Sequence, residues 1–188
     1  MSRIDPQLHR LRSGHELVVR CPTVADAPHL CRYLEAIWAD PGQFHVTGPG
    51  EVQLTPEREA AWIQAHLDAP AQLALVADIA GQIVGLLERD APPRRRLAHT
   101  AELSISIAAG WREQGIGRLL IEASLAWARA RPHLEKVRLT VIATNARAIH
   151  TESASVVIVY RLAQPRAFRA CPAPHTMALA RSMPVAYR

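Results

Sequence analysis

The run Ser104-Ile-Ser-Ile-Ala-Ala-Gly-Trp-Arg-Glu-Gln-Gly-Ile-Gly-Arg-Leu-Leu120 joins an alternating strand pattern to a glycine-punctuated turn and then to a helical pattern. A strand that feeds a tight turn and a helix start makes an anion cradle, because the first N–H groups of a helix have no intrahelical acceptor and can converge on one phosphate group. Gly115 and Gly117 remove side chains that would keep a ligand off that backbone. The chemistry this implies is binding of a pyrophosphate. No lysine follows for a P-loop, and the spacing is not the G-x-G-x-x-G of a dinucleotide fold. Taken alone, Gly-x-Gly is equally a turn before a closely packed helix.

At 188 residues and 20.7 kDa, the chain can bury one sizeable core, so residues 1–188 are expected to form a single domain. Its apolar content of 49% includes no run near eighteen residues, which argues against a membrane span. The opening Met1-Ser-Arg-Ile-Asp-Pro has no apolar signal core, and the expected location is the cytoplasm. Cys21, Cys31 and Cys171 have neither a disulfide framework nor a zinc spacing; they are read as small apolar filler, and no metal site is expected. The net charge of +5 comes from scattered basic residues with only 5% aromatics, which suits an anionic cofactor better than nucleic acid. The basic cluster Arg94-Arg-Arg96 follows Pro92-Pro93 and reads as a solvated loop, or as a contact to cofactor phosphates or a partner subunit.

Along the chain, Leu17-Val-Val-Arg20 reads as a strand. Thr23 and Asp26 then supply a capping box for a helix with apolar Ala27, Leu30, Leu34 and Ile37. Residues 39–54 form a long irregular stretch, the kind of loop that often binds ligands. Thr55-Pro-Glu-Arg-Glu59 starts a second helix, with Ala60, Ala61, Ile63 and Leu67 assigned to its buried side. A hairpin follows, with Leu73–Ala77 and Gln82–Leu87 turning at Ala80-Gly81 and a bulge expected near Gly85. Residues from about 98 to 107 form the strand that enters the glycine turn. The helix after it ends near Pro132, and Val137, Leu139 and Val141 alternate on the next strand. The pattern predicts an α/β sandwich on a mixed sheet.

Arg112-Glu-Gln-Gly-Ile-Gly117 resembles the Arg/Gln-x-x-Gly-x-Gly/Ala signature of the GNAT superfamily of acyl-CoA N-acyltransferases. Leu139-Thr-Val-Ile-Ala-Thr-Asn145 with Ala148-Ile149 is similar to that family's fifth strand and its Asn-x-x-Ala-Ile continuation. With the amino-terminal Leu17-Val-Val-Arg-x-x-Thr23-x-x-Asp26 pattern, the likeness spans about residues 15–150. It implies a GNAT-like three-layer α/β fold with a central mixed, mostly antiparallel sheet splayed at the acyl-CoA site. It also implies acetyl-CoA as co-substrate, with its pantetheine arm along Ser104 to Ala108, including Ile105, Ser106 and Ile107, and its pyrophosphate on Gln114, Gly115, Ile116, Gly117 and Arg118. Arg112 and Asn145 are further cofactor contacts on this reading, although an Arg at a helix start is commonly solvated and an Asn at a strand end can close its own turn.

The implied reaction is acetyl transfer to a primary amine of a small molecule, peptide or protein, with a homodimer allowed for. The alternative is an acyl-CoA-binding or sensing module with little turnover. Glu102 is the leading candidate to accept the ammonium proton, on the expectation that it is partly buried at the centre of the sheet; its other reading is an outward residue paired with an arginine. His99 and His45 are secondary candidates. The likeness breaks after Asn145: where relatives carry a tyrosine that protonates the departing thiolate, this chain has Glu152, and Val156-Val157 replaces Gly-Phe. Tyr160 is the nearest phenol, eight residues late. Either this segment has diverged toward altered catalysis, or it is read in a shifted frame; Ser155–Tyr160 retains strong β propensity in both cases.

Overall fold

The computed structural model describes residues 3–40, 50–90, 98–141 and 156–161, the last by backbone alone. Seven strands form one sheet in sequence order: β1 (Gln7–Arg10), β2 (Glu16–Arg20), β3 (Leu73–Ile79), β4 (Gln82–Asp90), β5 (Thr100–Ile107), β6 (Lys136–Val141) and β7 (Val156–Arg161). All neighbours are antiparallel except β5 and β6, which run parallel. That exception follows from the connection: α3 (Ile116–Arg129) carries the chain back across one face before β6 begins.

Helices α1 (Ala27–Ala39) and α2 (Pro56–Asp68) bury Leu30, Tyr33, Ile37, Ile63 and Leu67 against Val76, Ile83 and Leu86 on one face. Leu120, Ala123 and Trp127 of α3 close the other face over Leu75, Leu87, Leu103 and Val137. The result is the three-layer α/β arrangement expected, with a mostly antiparallel sheet. Among the described residues, no helix is long and apolar enough to cross a membrane.

Local chemistry explains the starts and bends. The Thr23 N–H donates to Asp26 Oδ2 at 2.7 Å, so the expected capping box is present, ahead of a short 3-10 turn that leads into α1. Thr55 Oγ1 accepts from the Arg58 N–H at 3.3 Å, and Pro56 occupies the first turn of α2. The register between β3 and β4 shifts between Ala77 and Asp78, leaving Val84 as the extra residue beside Gly85. A Cβ on Gly85 would lie 2.8 Å from Ile107 Cδ1 and 3.3 Å from Leu120 Cδ1, so the absent side chain makes room for Ile107 of β5 and Leu120 of α3 to pack over this point of β4.

Two expectations change, and the β propensity of Ser155–Tyr160 is met by a strand. Strand β1 was not expected; it has one apolar residue in four and gains its order by pairing with β2. Ala61 is exposed, and the buried side of α2 carries Glu59 and His66 with Ile63 and Leu67. The stretch after residue 155 enters the sheet as β7, antiparallel to β6 from Val141↔Val156 to Lys136↔Arg161.

Candidate active site

The gap in the sheet opens beside β5. Its parallel ladder with β6 runs from Thr100↔Lys136 to Leu103↔Leu139 and stops there, while β5 continues to Ile107 and β6 to Val141. On the other edge, Gly85 faces Ile107, and the Ala108 N–H donates to the Val84 carbonyl at 2.9 Å. This alternation makes Ile107 a non-hydrogen-bonded partner of β4, so the backbone groups of Ile105 and Ile107 turn toward the gap and those of Ser106 toward Leu86. The Ser106 side chain is engaged too, its hydroxyl 2.9 Å from the buried Tyr33 hydroxyl.

The glycine turn has the backbone form of a cradle. Glu113 (φ 64°) and Gly115 (φ 86°) both adopt left-handed conformations, and Gly115 is the residue before the first turn of α3. The N–H groups of Ile116, Gly117 and Arg118 stand in that first turn, where helix geometry supplies no acceptor, and the Ile116 side chain is buried in the core. A Cβ on Gly117 would face Ile105 Cδ1 at 3.8 Å and Ile107 Cγ1 at 4.0 Å, ordinary van der Waals distances on the side of β5.

The side chains around the turn brace it. Gln114 Oε1 accepts from Ser13 Oγ at 2.9 Å, and its Nε2 donates to the Gly110 carbonyl at 3.3 Å. Arg112 Nε donates to the Ile107 carbonyl at 3.2 Å, and its Nη2 pairs with Asp40 at the end of α1. Arg118 is 81% exposed and pairs with Glu122 one turn along α3. Arg112 thus holds protein groups in place at the positions where a direct cofactor contact was expected.

Glu102 is not the partly buried carboxylate expected. It is 55% exposed, lies 3.9 Å from Arg138 and accepts from Thr140 Oγ1 at 3.3 Å. The cause is register, because its neighbour on β6 is Arg138 and its neighbour on β4 is Asp90. His99 is half-buried, and its carbonyl accepts from the N–H groups of Glu135 and Lys136. The backbone of Tyr160 pairs with Val137 in β7. Asn145, Glu152, His45 and Arg94–Arg96 lie outside the described residues.

Sequence reasoning missed a carboxylate on the same face. Glu88 of β4 is half-buried and directly opposite Ser104, the first β5 residue beyond the β6 ladder. Burial, with Asp90 and Glu59 nearby, pushes its carboxyl above the usual range, and His66 only partly offsets this. His66 stands between α2 and β4, with Nδ1 3.0 Å from the Trp62 carbonyl and Nε2 3.5 Å from Asp90 Oδ1. Since a carbonyl can only accept, Nδ1 carries a hydrogen, and a neutral ring would aim the Nε2 lone pair at a carboxylate. Burial opposes the imidazolium, but Asp90, the Trp62 carbonyl and Glu88 carry the net shift upward.

The end of the β5–β6 ladder and the left-handed turn ahead of α3 thus lie at the same end of β5. The chain belongs to the acetyltransferase (GNAT) family, whose model matches residues 27–151. It is 29% identical over 98 residues to the L-amino acid N-acetyltransferase AaaT of Escherichia coli (strain K12), a match spanning 52% of this chain and 60% of that relative. Among solved structures it resembles an acetyltransferase of the GNAT family from Streptococcus pneumoniae, with 28% identity, a TM-score of 0.67, and 71% of this chain and 80% of that one covered. The fold also matches yncA, a putative acetyltransferase from Salmonella typhimurium solved with its cofactor acetyl-CoA. That match has 16% identity and a TM-score of 0.65, and covers 82% of this chain and 99% of that one.

Proposed function

We propose that the protein transfers an acetyl group from acetyl-CoA to a primary amine by direct attack in a ternary complex. The observation that carries this reading is the end of the β5–β6 ladder at Leu103↔Leu139, directly ahead of the left-handed turn at Gly115. The outward backbone groups of Ile105 suit the amides of a pantetheine arm, and the amides of Ile116, Gly117 and Arg118 suit a pyrophosphate. Arg112 holds the gap-side carbonyl of Ile107 and pairs with Asp40, fixing the end of this backbone surface. Glu102, exposed at the mouth of the gap, offers a carboxylate to an incoming ammonium group.

Family membership and the likeness to an L-amino acid N-acetyltransferase support small amines, amino acids among them, as acceptors; peptide and protein amines have the same reacting group. A panel of L-amino acids, polyamines and basic peptides, read by release of free coenzyme A, tests the reaction. Calorimetry tests the cradle separately. Gly115→Val imposes a branched side chain on a left-handed residue and should weaken acetyl-CoA binding at least tenfold in a folded protein. Unchanged affinity would remove the pyrophosphate from this turn. Coenzyme A binding with no transfer to any amine would leave a sensing module instead.

A further inference from the structure

We propose that Glu88, reached through a bridging water from the mouth of the gap, is the base that takes the proton from the acceptor's ammonium group. The proposal rests on the acetyl-transfer reading and names the residue that makes the amine nucleophilic.

Placement carries the argument. Glu88 and Ser104 are cross-strand partners, as are Asp90 and Glu102, so all four side chains project from one face of β4 and β5. Glu88 and Glu102 are diagonal neighbours on that face, their backbone positions roughly 7–8 Å apart along the sheet, so the two carboxylates share one side of this sheet corner. Two carboxylates at such a separation divide the work according to their surroundings. Glu102 is solvated and faces Arg138 and Thr140 of β6, where it can attract an ammonium ion. Glu88 is half-buried, and among the described residues its carboxylate has no hydrogen-bond partner.

The charged groups facing Glu88 come from both elements packed at this corner. Asp90 on its own strand and Glu59 on α2 raise its proton affinity together with burial, and His66 on α2 lowers it. A carboxylate of this kind is a stronger base than a solvated one, and a base works best when its proton affinity is matched to the operating pH.

The ammonium gives one proton through water to Glu88. The neutral nitrogen attacks the thioester carbon, forming the C–N bond, and the C–S bond breaks. The second nitrogen proton goes to the departing thiolate, and Glu88 returns its proton to solvent.

The test is kcat against pH at saturating acetyl-CoA, using whichever amine of the panel gives the fastest release of coenzyme A, for the wild type, Glu88→Gln and Glu102→Gln. Glu88→Gln is expected to lower kcat about 10²-fold at neutral pH and to erase the acid limb of the profile, with acetyl-CoA affinity by calorimetry within twofold of wild type. Glu102→Gln is expected to raise KM for the amine and to keep the limb. If Glu88→Gln keeps the limb at near wild-type kcat, the proposal is overturned. If Glu102→Gln alone erases it, Glu102 is the base; the proposal is again overturned, but acetyl transfer stands. If no amine releases coenzyme A from the wild type, the transfer reading itself fails and the proposal with it. Should Glu88→Gln not fold, Glu88→Ser decides by the same profile, loss of the limb supporting the proposal and its retention overturning it.

Discussion

Asp26 and Glu88 are carboxylates on neighbouring parts of the same molecule, shifted in opposite directions by their surroundings. At the β2–β3 corner, Arg20 reaches Asp26 and Asp78 at 2.7 Å each, and the Thr23 N–H and hydroxyl also donate to Asp26. The Arg20 guanidinium holds the Asp26 carboxyl well below the usual carboxylate range, although burial pulls the other way. At the β4–β5 corner, Glu88 is similarly withdrawn from water, but its neighbours Asp90 and Glu59 are like charges, and among the described residues the group that offsets them is His66. Burial alone does not distinguish the two sites. What differs is whether the fold supplies donors to the charged form. Where it does, the group stays charged and anchors structure; where it does not, the carboxyl's proton affinity rises, and the group becomes able to take up a proton.

The largest effect should come from breaking the satisfied corner. Arg20→Leu leaves Asp26 and Asp78 without their shared cation while both stay mostly buried. About 2–3 kcal/mol of stability should be lost, below the full cost of breaking a deeply buried pair because Arg20 keeps 21% of its side chain in water. Urea denaturation at pH 7 measures this. The loss should shrink in acid: the folded proton affinity of Asp26 is depressed, so its stabilisation is present above the ordinary carboxylate range and fades as pH falls below it. A loss below 0.5 kcal/mol at pH 7 would mean that the network is ornamental and that the contrast with Glu88 has no energetic content.

Glu88→Gln should move stability in the opposite direction. Because the folded state raises this carboxyl's proton affinity, ionised Glu88 costs stability at neutral pH and nothing once both states are protonated. The amide should therefore raise stability by about 1 kcal/mol near pH 7.5, the scale at which functional sites exchange stability for activity, and the gain should vanish toward pH 4. Thermal melts across that range check the sign. A destabilised variant at pH 7.5 would show that Glu88 has a partner that the raised proton affinity conceals.

Legibility in the sequence divided along the same line. The glycine turn, the Thr23–Asp26 capping box and the Thr55-Pro56 helix start are local devices, readable because each is built within a few residues. The splayed sheet entered through resemblance, and the ladder's end at Leu103 gives it a physical form. The contacts of Gly117 with Ile105 and Ile107, and of Arg112 with Ile107 and Asp40, are tertiary packing that no local motif announces. The acidic corner was illegible for a related reason. Glu59 and His66 look like surface residues of α2, and only the packing of α2 over β4 turns them inward. Glu88 drew no attention in the sequence, and only the pairing of β4 with β5 sets it beside Glu102, which β5 in turn sets against Arg138 of β6.

His66→Gln should have the smallest effect on stability and is the sharpest test of how the acidic corner is tuned. The folded state raises the proton affinity of His66, so its stabilisation is complete below the unfolded value near 6.5 and is lost as pH rises through the folded one. Its partner Asp90 is 59% exposed, which limits the pair to about 0.5 kcal/mol. The glutamine variant should lack that decline, with melts of the two proteins converging at alkaline pH. Catalysis should respond more clearly. The imidazolium is the group that restrains Glu88's proton affinity, so removing it should move the acid limb of kcat to higher pH while acetyl-CoA affinity holds. A limb that stays in place would uncouple His66 from the proton acceptor and leave it a staple between α2 and β4.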